Sequence, residues 1–537
     1  MENLDAAPER DIRRRYVIGL VARELADAVG PDHVSVDPKD LEAQADDWSW
    51  MSQYMRYKNL PHPTADIAVH PANAEEVAAC VRIASDFGMP VVPRGGGSGT
   101  QGGTFAPYGG IALDLTRMNR ILEIDHTSLV VTAEAGIDGP ALEEELNAVG
   151  LTMPHYPGSF HFGATLGGFL AARGSGVLST KYGKAEDLVL QVQAALPPGR
   201  LVETLPTPNH ASGPDLVQVL VGSEGTLGVI TQAAMQLEPL PERREFLSFG
   251  FPSISEGIEA GRRIMVGRLR PAVVRLYDEK DTQKLASWID ADVEGVLLVL
   301  MCDGPSPLVD YEVQQITQVC GEVGGTSYGP ELGQLWWDRK YEPFAHGKAP
   351  APPMVFGTTD TCARFDRLED IYWAKKKVIE EGFAEYGATY TAHFSHWFPW
   401  GSMIYDRFYI DEAPSDPDEA MALHDRLWDA AVRASLENGG TLNEHHGVGV
   451  ETQAHVGDRA HAGGDATSNE GHHIKRDIIV DFDETVFADD QLLRKCSQAR
   501  KASDGVSVDH EVGADSDFHR TAAEIRLSAL ASDALAA

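Results

Sequence analysis

The sequence predicts an α+β protein built from two or three domains. Its 537 residues exceed the length of one ordinary domain. Strand-like and helix-like segments begin to alternate near Asp66, and a second mixture of both spans about residues 245–440. Between them, the sequence Pro239-Leu-Pro-Glu-Arg243 is typical of a domain boundary, because proline disfavours regular structure.

Composition indicates a globular chain and excludes several classes of partner. Hydrophobic residues make up 43% of the sequence and charged residues 23%, which argues against a disordered, collagen-like or disulfide-rich protein. The formal net charge is −36 at pH 7. We therefore expect no nucleic-acid partner, because the chain offers no bulk attraction to a phosphate backbone. The acidity fits a protein that works in concentrated salt and, equally, an ordinary acidic enzyme.

The sequence shows no recognisable signal peptide or membrane span, which favours a cytoplasmic location. Residues 1–17 are rich in acids and arginine and have no apolar stretch of the kind that signal peptides contain. The longest apolar run, residues 295–302, is far too short for an integral membrane span. The cysteines form no Cys-x-x-Cys pair, so we expect free thiols and no zinc ribbon; they are Cys80, Cys302, Cys320, Cys362 and Cys496.

The individual elements follow from local signals. Residues 1–60 form a predicted helical leader. Asn73 with Glu76 predicts a helix start, and Gly88 predicts the end of that helix. Strands are predicted at residues 90–93, 111–115, 129–135, 296–301 and 403–410, and further helices at 140–150, 366–383 and 418–437.

Three glycine-rich segments precede residue 240. The first reads Arg94-Gly-Gly-Gly-Ser-Gly-Thr-Gln-Gly-Gly103, the second spans residues 156–183, and the third spans residues 222–231. Glycine lets the backbone approach a phosphate and direct several N–H groups at it. The first segment lies between two predicted strands, which suits a diphosphate-binding loop better than a linker. It is neither a Rossmann nor a Walker loop, because it lacks Gly-x-Gly-x-x-Gly before a helix and Gly-Lys-Ser/Thr.

These segments resemble three motifs of the FAD-linked oxidases of the vanillyl-alcohol-oxidase/p-cresol-methylhydroxylase superfamily. Residues 92–103 are similar to the diphosphate loop of that family, residues 157–168 to its second FAD loop, and residues 222–231 to its late signature. The motifs occur in the family's order and spacing, and the resemblance covers about residues 60–455. It implies a two-lobed FAD-binding domain and a mixed α/β cap domain with an antiparallel sheet.

The resemblance also implies how the chain is divided. We expect a helical leader at residues 1–60, a FAD-binding domain of the PCMH type at 61–242, a substrate or cap domain at 243–455, and an atypical acidic tail at 456–537. From about Thr452 the sequence no longer resembles the family, and its composition predicts a partly disordered tail. A FAD-binding remnant with little catalysis is therefore one functional alternative.

The cofactor implied by the resemblance is FAD. Some relatives bind FAD covalently through a histidine in the first loop, whereas this chain has Gly97-Ser-Gly99 there, so we expect non-covalent FAD. The residues expected to contact the cofactor lie on the glycine-rich segments; they are Pro93, Arg94, Gly95, Gly96, Gly97, Ser98, Gly99, Thr100, Pro157, Thr165, Gly167, Gly168, Ser175, Tyr182, Glu224, Gly228 and Ile230.

An arginine within an apolar, strand-like run is a candidate substrate ligand. Arg275 lies in Pro271-Ala-Val-Val-Arg-Leu-Tyr-Asp278, and a buried guanidinium needs an anionic partner. That partner is either a structural carboxylate or the carboxylate or phosphate of a small anionic substrate. In the family an arginine at this place faces the active site, so the resemblance implies the second reading.

A first histidine pair lies in the predicted cap. His393-Phe-Ser-His396 is similar to the His-x-Gly-Asp-Gly-Asn-x-His stretch that supplies metal ligands in related 2-hydroxy-acid dehydrogenases, but it keeps only the first histidine. We therefore predict no metal, with His393 and His396 as weaker candidate ligands.

A tyrosine and a second histidine pair are the candidate catalytic groups. Tyr405 falls where alkylglycerone-phosphate synthases carry a catalytic tyrosine. In Asn443-Glu-His-His-Gly-Val-Gly449, His446 matches the histidine shared by the synthases and the dehydrogenases, and His445 matches the synthases alone. The glycine context distinguishes this pair from an isolated histidine pair.

The resemblance leaves two catalytic functions open. In the first, which we place ahead, a FAD-dependent oxidoreductase oxidises a small anionic alcohol or 2-hydroxy acid by hydride transfer to flavin N5. Arg275 would hold the anion, and His446, helped by His445 or Tyr405, would remove the hydroxyl proton. In the second, an enzyme similar to alkylglycerone-phosphate synthases of ether lipid synthesis uses the same residues without net redox chemistry. Whether the protein forms a homodimer stays open.

Overall fold

The computed structural model describes residues 7–287, 292–342 and 351–450, with side chains from residue 14 onward. The acidic tail predicted at 456–537 lies outside the described residues. Within them, no helix is both long and apolar enough to cross a membrane.

The first sixty residues contribute a strand to the first sheet. They form α1 (Ala7–Val29), β1 (Val34–Ser35), α2 (Pro38–Gln44) and α3 (Trp50–Lys58). Asp37 and Ser49 cap the N-termini of α2 and α3 by accepting backbone N–H groups, and α3 ends at Asn59 in the left-handed conformation. Because β1 pairs with Val69 and Ala68 of the next strand, the predicted leader is packed against the segment that follows it.

The first sheet supports the first glycine-rich loop. It has the order β1-β2-β4-β3, with β2 (Ile67–Val69) and β3 (Val91–Arg94) parallel to β4 (Ile111–Asp114), and α4 (Ala74–Phe87) connects β2 to β3. Asn73 accepts a hydrogen bond from the Glu76 amide at 2.9 Å, and Gly88 ends the helix with φ 62°. Both helix boundaries agree with the sequence prediction.

A second, antiparallel sheet has the order β5-β6-β10-β8-β9 and shares one hydrophobic core with the first. Its strands are β5 (Ile121–Asp125), β6 (Val130–Glu134), β8 (Val189–Leu196), β9 (Arg200–Glu203) and β10 (Val229–Gln236). The elements between them are α5 (Gly139–Ala148), β7 (Leu151–Thr152), α6 (Leu166–Ala171), α7 (Ser179–Tyr182), α8 (Ala185–Leu188) and α9 (Leu216–Leu220). β11 (Glu238–Pro239) follows β10 and pairs with β7 in a separate two-stranded sheet.

A third, seven-stranded sheet, here called the cap sheet, has the order β15-β12-β14-β13-β17-β18-β16 and is antiparallel throughout. Its strands are β12 (Arg243–Phe251), β13 (Val273–Tyr277), β14 (Val296–Gly304), β15 (Thr326–Ser327), β16 (Val355–Arg364), β17 (Thr389–Phe398) and β18 (Gly401–Ile410). The helices that connect or follow these strands are α10 (Ile254–Val266), α11 (Glu279–Ala286), α12 (Ser306–Glu322), α13 (Glu331–Arg339), α14 (Phe365–Glu380) and α15 (Pro417–Glu437). The predicted α+β fold class, with an antiparallel cap sheet, is confirmed.

The two faces of the cap sheet differ because successive residues of a strand point to opposite sides. On the core face, Leu276, Leu298, Phe394 and Phe408 pack into a hydrophobic core with the helices α10, α12, α14 and α15. The opposite face, here called the site face, carries polar side chains on β13, β17 and β18, whereas β14 contributes mostly apolar ones, such as Leu297 and Val299. The site face is therefore where a ligand can meet functional groups.

Candidate active site

Four polar side chains form a row across the site face. Tyr277 on β13 lies opposite His393 on β17, His393 lies opposite Tyr405 on β18, and Tyr405 lies opposite Asp360 on β16. Paired residues of antiparallel strands point to the same side of a sheet. The sheet register thus gathers residues from four segments of the sequence into one line.

The segment after α15 brings a histidine to the end of this row. The Nδ1 atom of His446 lies 2.6 Å from Oδ1 of Asp360, and the amides of Glu444 and His445 both donate to Oδ2 of that carboxylate. A carboxylate only accepts hydrogen bonds, so Nδ1 of His446 carries the proton and Nε2 is left with its lone pair. Asp360 therefore fixes both the backbone of the segment and the tautomer of His446.

The adjacent histidines differ in charge. The Nδ1 atom of His445 lies 2.8 Å from Oε2 of Glu444 and 3.2 Å from Oδ2 of Asp360. Burial alone would lower the pKa of His445, but these two carboxylates outweigh it and raise the pKa to about 9. Burial and the positive charge of His445 lower the pKa of His446. At neutral pH His445 is an imidazolium, and His446 is a neutral base.

A second cluster surrounds the carboxylate of Glu444. Its Oε1 atom lies 3.0 Å from Nζ of Lys184, and its Oε2 atom lies 3.2 Å from both Nδ1 of His396 and Oγ of Ser175. Lys184 also donates to the backbone oxygen of Glu444 at 2.6 Å. The cluster joins the second glycine-rich segment to the cap sheet, and Ser175, predicted to contact the cofactor, makes its hydrogen bonds here.

The predicted anion ligand, Arg275, lies on the site face two residues before Tyr277. It is half-buried, with its guanidinium carbon 5.3 Å from the ring centroid of Trp336 and Nη1 3.4 Å from the Tyr277 hydroxyl. Among the residues that the structure describes, no carboxylate lies within 4.0 Å of it. The sequence left two interpretations of Arg275 open, a structural salt bridge and a bound anion. Because the described residues offer Arg275 no carboxylate, the structure favours the bound anion.

Tyr405 and His393 stack on each other in the middle of the row. Their ring centroids are 4.7 Å apart at 16°, and the Tyr405 ring lies 5.3 Å from that of His446. Burial raises the pKa of Tyr405, so its hydroxyl stays protonated. Burial and the nearby charge of Arg275 keep the pKa of His393 well below its ordinary range, so this imidazole is neutral.

The first two glycine-rich loops meet closely, as a cofactor cradle requires. A Cβ on Gly95 would lie 2.2 Å from Oγ1 of Thr165, and one on Gly96 would lie 1.8 Å from the backbone oxygen of Gly163. No amide of residues 95–101 donates a hydrogen bond to another group in the described ranges. A loop with this many free N–H groups has the donors that a diphosphate needs, so these residues fit FAD.

The third loop holds the histidine segment in place. Glu224 accepts hydrogen bonds from the amides of Val448 at 2.6 Å and Gly449 at 3.0 Å. The amide of Val450 donates to the backbone oxygen of Gln101 in the first loop at 2.9 Å. The predicted cofactor ligand Glu224 thus makes its described contacts with protein, and two glycine-rich loops position the chain that follows His446.

Other predicted cofactor residues also have protein contacts. The Tyr182 hydroxyl donates to Asp303 at 2.8 Å, a Cβ on Gly228 would lie 2.4 Å from Cδ2 of Leu196, and Ile230 is buried in the hydrophobic core. The remaining ones lie on or beside the first two loops: Pro93, Arg94, Gly97, Ser98, Gly99, Thr100, Pro157, Gly167 and Gly168. Direct contact of any of them with the cofactor stays a prediction.

Sequence reasoning missed three contributors to the site. Asp360 and Lys184 organise the two histidine clusters, and the amide of Trp48 donates to the backbone oxygen of Gly99 at 2.8 Å. The Trp48 ring lies 5.1 Å from that of Phe162, so the leader covers both FAD loops. The one available signal was Asp360 itself, an acid in the middle of a strand-like run.

The clusters contain side chains of metal-ligating type. His396 belongs to one of two groups whose candidate ligand atoms lie within 4.8 Å of one another, and His393 belongs to neither: the groups are Asp360, His445 and His446, and His396, Glu444 and His445. In the second group, the ammonium of Lys184 lies 3.0 Å from the Glu444 carboxylate and already neutralises the negative charge that a metal ion would otherwise balance. That the protein uses no metal stays a prediction.

Comparison with known proteins agrees with this geometry. Residues 65–205 match the family model of a FAD binding domain, and residues 240–464 match that of the C-terminal domain of FAD linked oxidases. The alkyldihydroxyacetonephosphate synthase of Trypanosoma brucei brucei is 30% identical over 417 residues, which cover 72% of this chain and 67% of that protein.

Two further similarities extend the comparison. The mitochondrial D-lactate dehydrogenase [cytochrome] of Arabidopsis thaliana is 28% identical over 398 residues, which cover 73% of this chain and 67% of that protein. A solved structure of an alkyldihydroxyacetonephosphate synthase superposes with a TM-score of 0.68 at 25% identity, covering 78% of this chain and 80% of the other. Synthases and an oxidoreductase therefore share this architecture.

Proposed function

We propose that this chain, which belongs to the family of FAD-linked oxidases, oxidises a small anionic alcohol or 2-hydroxy acid. The observation that carries this proposal is the arrangement of the site face. It presents a neutral His446 held by Asp360 and, on the same face, Arg275 without a carboxylate within 4.0 Å in the described ranges. His446 is suited to remove a proton, and Arg275 is suited to bind an anion.

His446 has the properties of a general base. Its lowered pKa keeps Nε2 unprotonated at neutral pH, and Asp360 at Nδ1 stabilises the positive charge that forms when Nε2 accepts the hydroxyl proton. Because the pKa of His446 lies below its ordinary 6.5, the base-competent form persists into mildly acidic solution.

The neighbouring groups orient the substrate. Arg275 binds the carboxylate or phosphate, and the protonated hydroxyl of Tyr405 donates to the oxygen that loses its proton. The imidazolium of His445 supplies fixed positive charge beside that oxygen, which stabilises developing negative charge in a buried site. FAD, held without a histidine in the first loop and hence non-covalently, supplies the hydride acceptor when bound.

A second candidate function is transfer without net redox chemistry. It is supported by His445 and His446 before Gly447, the arrangement that resembles the synthases, and by the relatives named alkyldihydroxyacetonephosphate synthases. The same groups serve this function, with Arg275 on a phosphate and the histidines and Tyr405 moving protons. A FAD-binding remnant is the third alternative, because the match to the family ends at residue 464, within the predicted tail.

Anaerobic mixing of purified holoenzyme with glycolate, D-lactate and D-glycerate tests the proposal. We expect at least one of them to bleach the flavin absorbance, and His446→Gln to abolish the bleaching while the protein stays yellow. If no hydroxy acid reduces the flavin but dihydroxyacetone phosphate binds, the transfer function replaces the oxidase function. A protein that takes up no FAD at all contradicts both.

A further inference from the structure

Three buried polar side chains on β17 lack hydrogen-bond partners in the described part of the chain: Thr391 and the neighbouring pair His393 and Ser395, which carries the following argument. His393 is 5% exposed and Ser395 is 3% exposed. Within the part of the chain that the structure describes, both ring nitrogens of His393 and the hydroxyl of Ser395 lack a hydrogen-bond partner. Phe394 between them packs into the core, so both side chains point to the site face. Buried polar groups are normally paired, because an unpaired one loses its hydrogen bonds to water.

The surroundings of His393 leave only its edge for a ligand. One neighbour, Tyr405, stacks on the ring with centroids 4.7 Å apart, and the Tyr277 ring lies 5.4 Å away at 44°. Burial lowers the pKa of His393, and the cations Arg275 and Arg407 lower it further, so the imidazole is neutral. A neutral imidazole has one donor and one acceptor, which suits a hydroxyl or carbonyl oxygen better than a second anion.

The position of His393 defines which oxygen it would reach. Along the row, Tyr277 lies opposite His393 and two residues after Arg275 on the same face, and Tyr405 separates His393 from Asp360 and its partner His446. A ligand that extends from Arg275 towards His446 therefore passes over His393. The central oxygen of such a ligand is the one that meets the unpaired imidazole.

We propose that His393, with Ser395 beside it, binds an additional substrate oxygen, distinct from the anionic group on Arg275 and from the hydroxyl that faces His446. The substrate is thus a polyoxygenated anion, such as a dihydroxy acid or a phosphorylated hydroxy ketone, and not a simple 2-hydroxy acid. This inference rests on the proposed function for the roles of Arg275 and His446. It makes His393 a specificity-determining residue.

Binding to the oxidised holoenzyme tests this without requiring turnover. Flavin difference spectra give the Kd of two matched pairs, D-glycerate against D-lactate and dihydroxyacetone phosphate against ethyl phosphate. We expect the more oxygenated member of at least one pair to bind about tenfold more tightly, since one hydrogen bond to a buried group has about that effect. In His393→Leu this preference should vanish while the Kd of the simpler member stays the same.

Two further variants separate binding from structure. His393→Gln keeps a donor and an acceptor and should restore part of the preference. His424→Leu is the matched control, because His424 is also a buried histidine with one ring nitrogen that has no hydrogen-bond partner in the described ranges, and it lies on α15 against the core face. The inference is wrong if neither pair shows a preference in the wild type, or if His393→Leu weakens both members of a pair equally. Flavin bleaching is scored separately, so failure of the oxidase function is recognised independently.

Discussion

The two faces of the cap sheet each bury a carboxylate, but they surround it differently. On the core face, Asp406 is 1% exposed and contacts Lys375 at 2.5 Å, Tyr390 at 3.0 Å and Thr359. Lys375 itself is fully buried and also donates to Thr359 at 2.9 Å. Every charged or polar member of this cluster therefore has a partner inside the protein.

On the site face, Asp360 is equally buried at 2% exposed, yet its cluster is incomplete. Asp360 holds His446 through Nδ1 and leaves Nε2 available. On the same face, His393 lies two strands away and Arg275 three strands away, and in the described ranges neither has the hydrogen-bonding or anionic partner that it requires. The comparison teaches that burial of charge alone does not mark a site. Unsatisfied groups on the same face as a satisfied carboxylate do mark a site, because a ligand can complete them.

The largest effect should come from breaking the complete cluster. Lys375→Met leaves the Asp406 carboxylate buried without its cation, and we expect the free energy of unfolding to fall by about 3–5 kcal/mol. Denaturant unfolding measures the loss, with Lys377→Met on the exposed side of the same helix as the control. Equal stability of the two variants would contradict a structural role for the pair.

The opposite pattern is expected on the site face. His446→Gln removes the general base but keeps an amide that can donate to Asp360, so the stability should hardly change while turnover falls by about 10²–10⁴-fold. Stopped-flow flavin reduction, with the substrate found in the anaerobic screen, measures the rate. The exposed His126→Gln is the control. A variant that loses stability without losing rate would place His446 with the structural groups.

The difference between the faces also explains what the sequence could predict. The glycine-rich loops, Arg275, Tyr405 and His446 could be selected as candidates because each carries a local pattern or a local resemblance. The partnership of His446 with Asp360 spans 86 residues of sequence and depends on the register of β16 against β18, which no short pattern encodes. Element boundaries such as Asn73 and Gly88 were predictable because capping is local.

Glu224 provides a sharper test of whether a local resemblance or a long-range contact determines the role of a residue. The resemblance assigned it to the cofactor, whereas its carboxylate bonds the amides of Val448 and Gly449, 224 and 225 residues away. In Glu224→Gln, one amide must face an NH₂ group, so we expect kcat to fall about tenfold through a displaced His446. The Kd of FAD, measured by fluorescence, should stay within about threefold on this view. A large rise in that Kd with kcat unchanged would support the cofactor role instead.

The smallest expected effect concerns the charge of His445. Asp360 and Glu444 raise its folded-state pKa to about 9 from an unfolded value near 6.5. A raised pKa means that the ion-pair stabilisation is fully present below about pH 6.5 and is lost as the pH rises towards 9. The difference in unfolding free energy between the wild type and His445→Gln should therefore shrink between these two pH values, when both proteins are unfolded with urea. A difference that is independent of pH would mean that His445 is neutral in the folded protein. The site face would then lose the fixed positive charge that we assign to His445, and the two neighbouring histidines would no longer differ in charge.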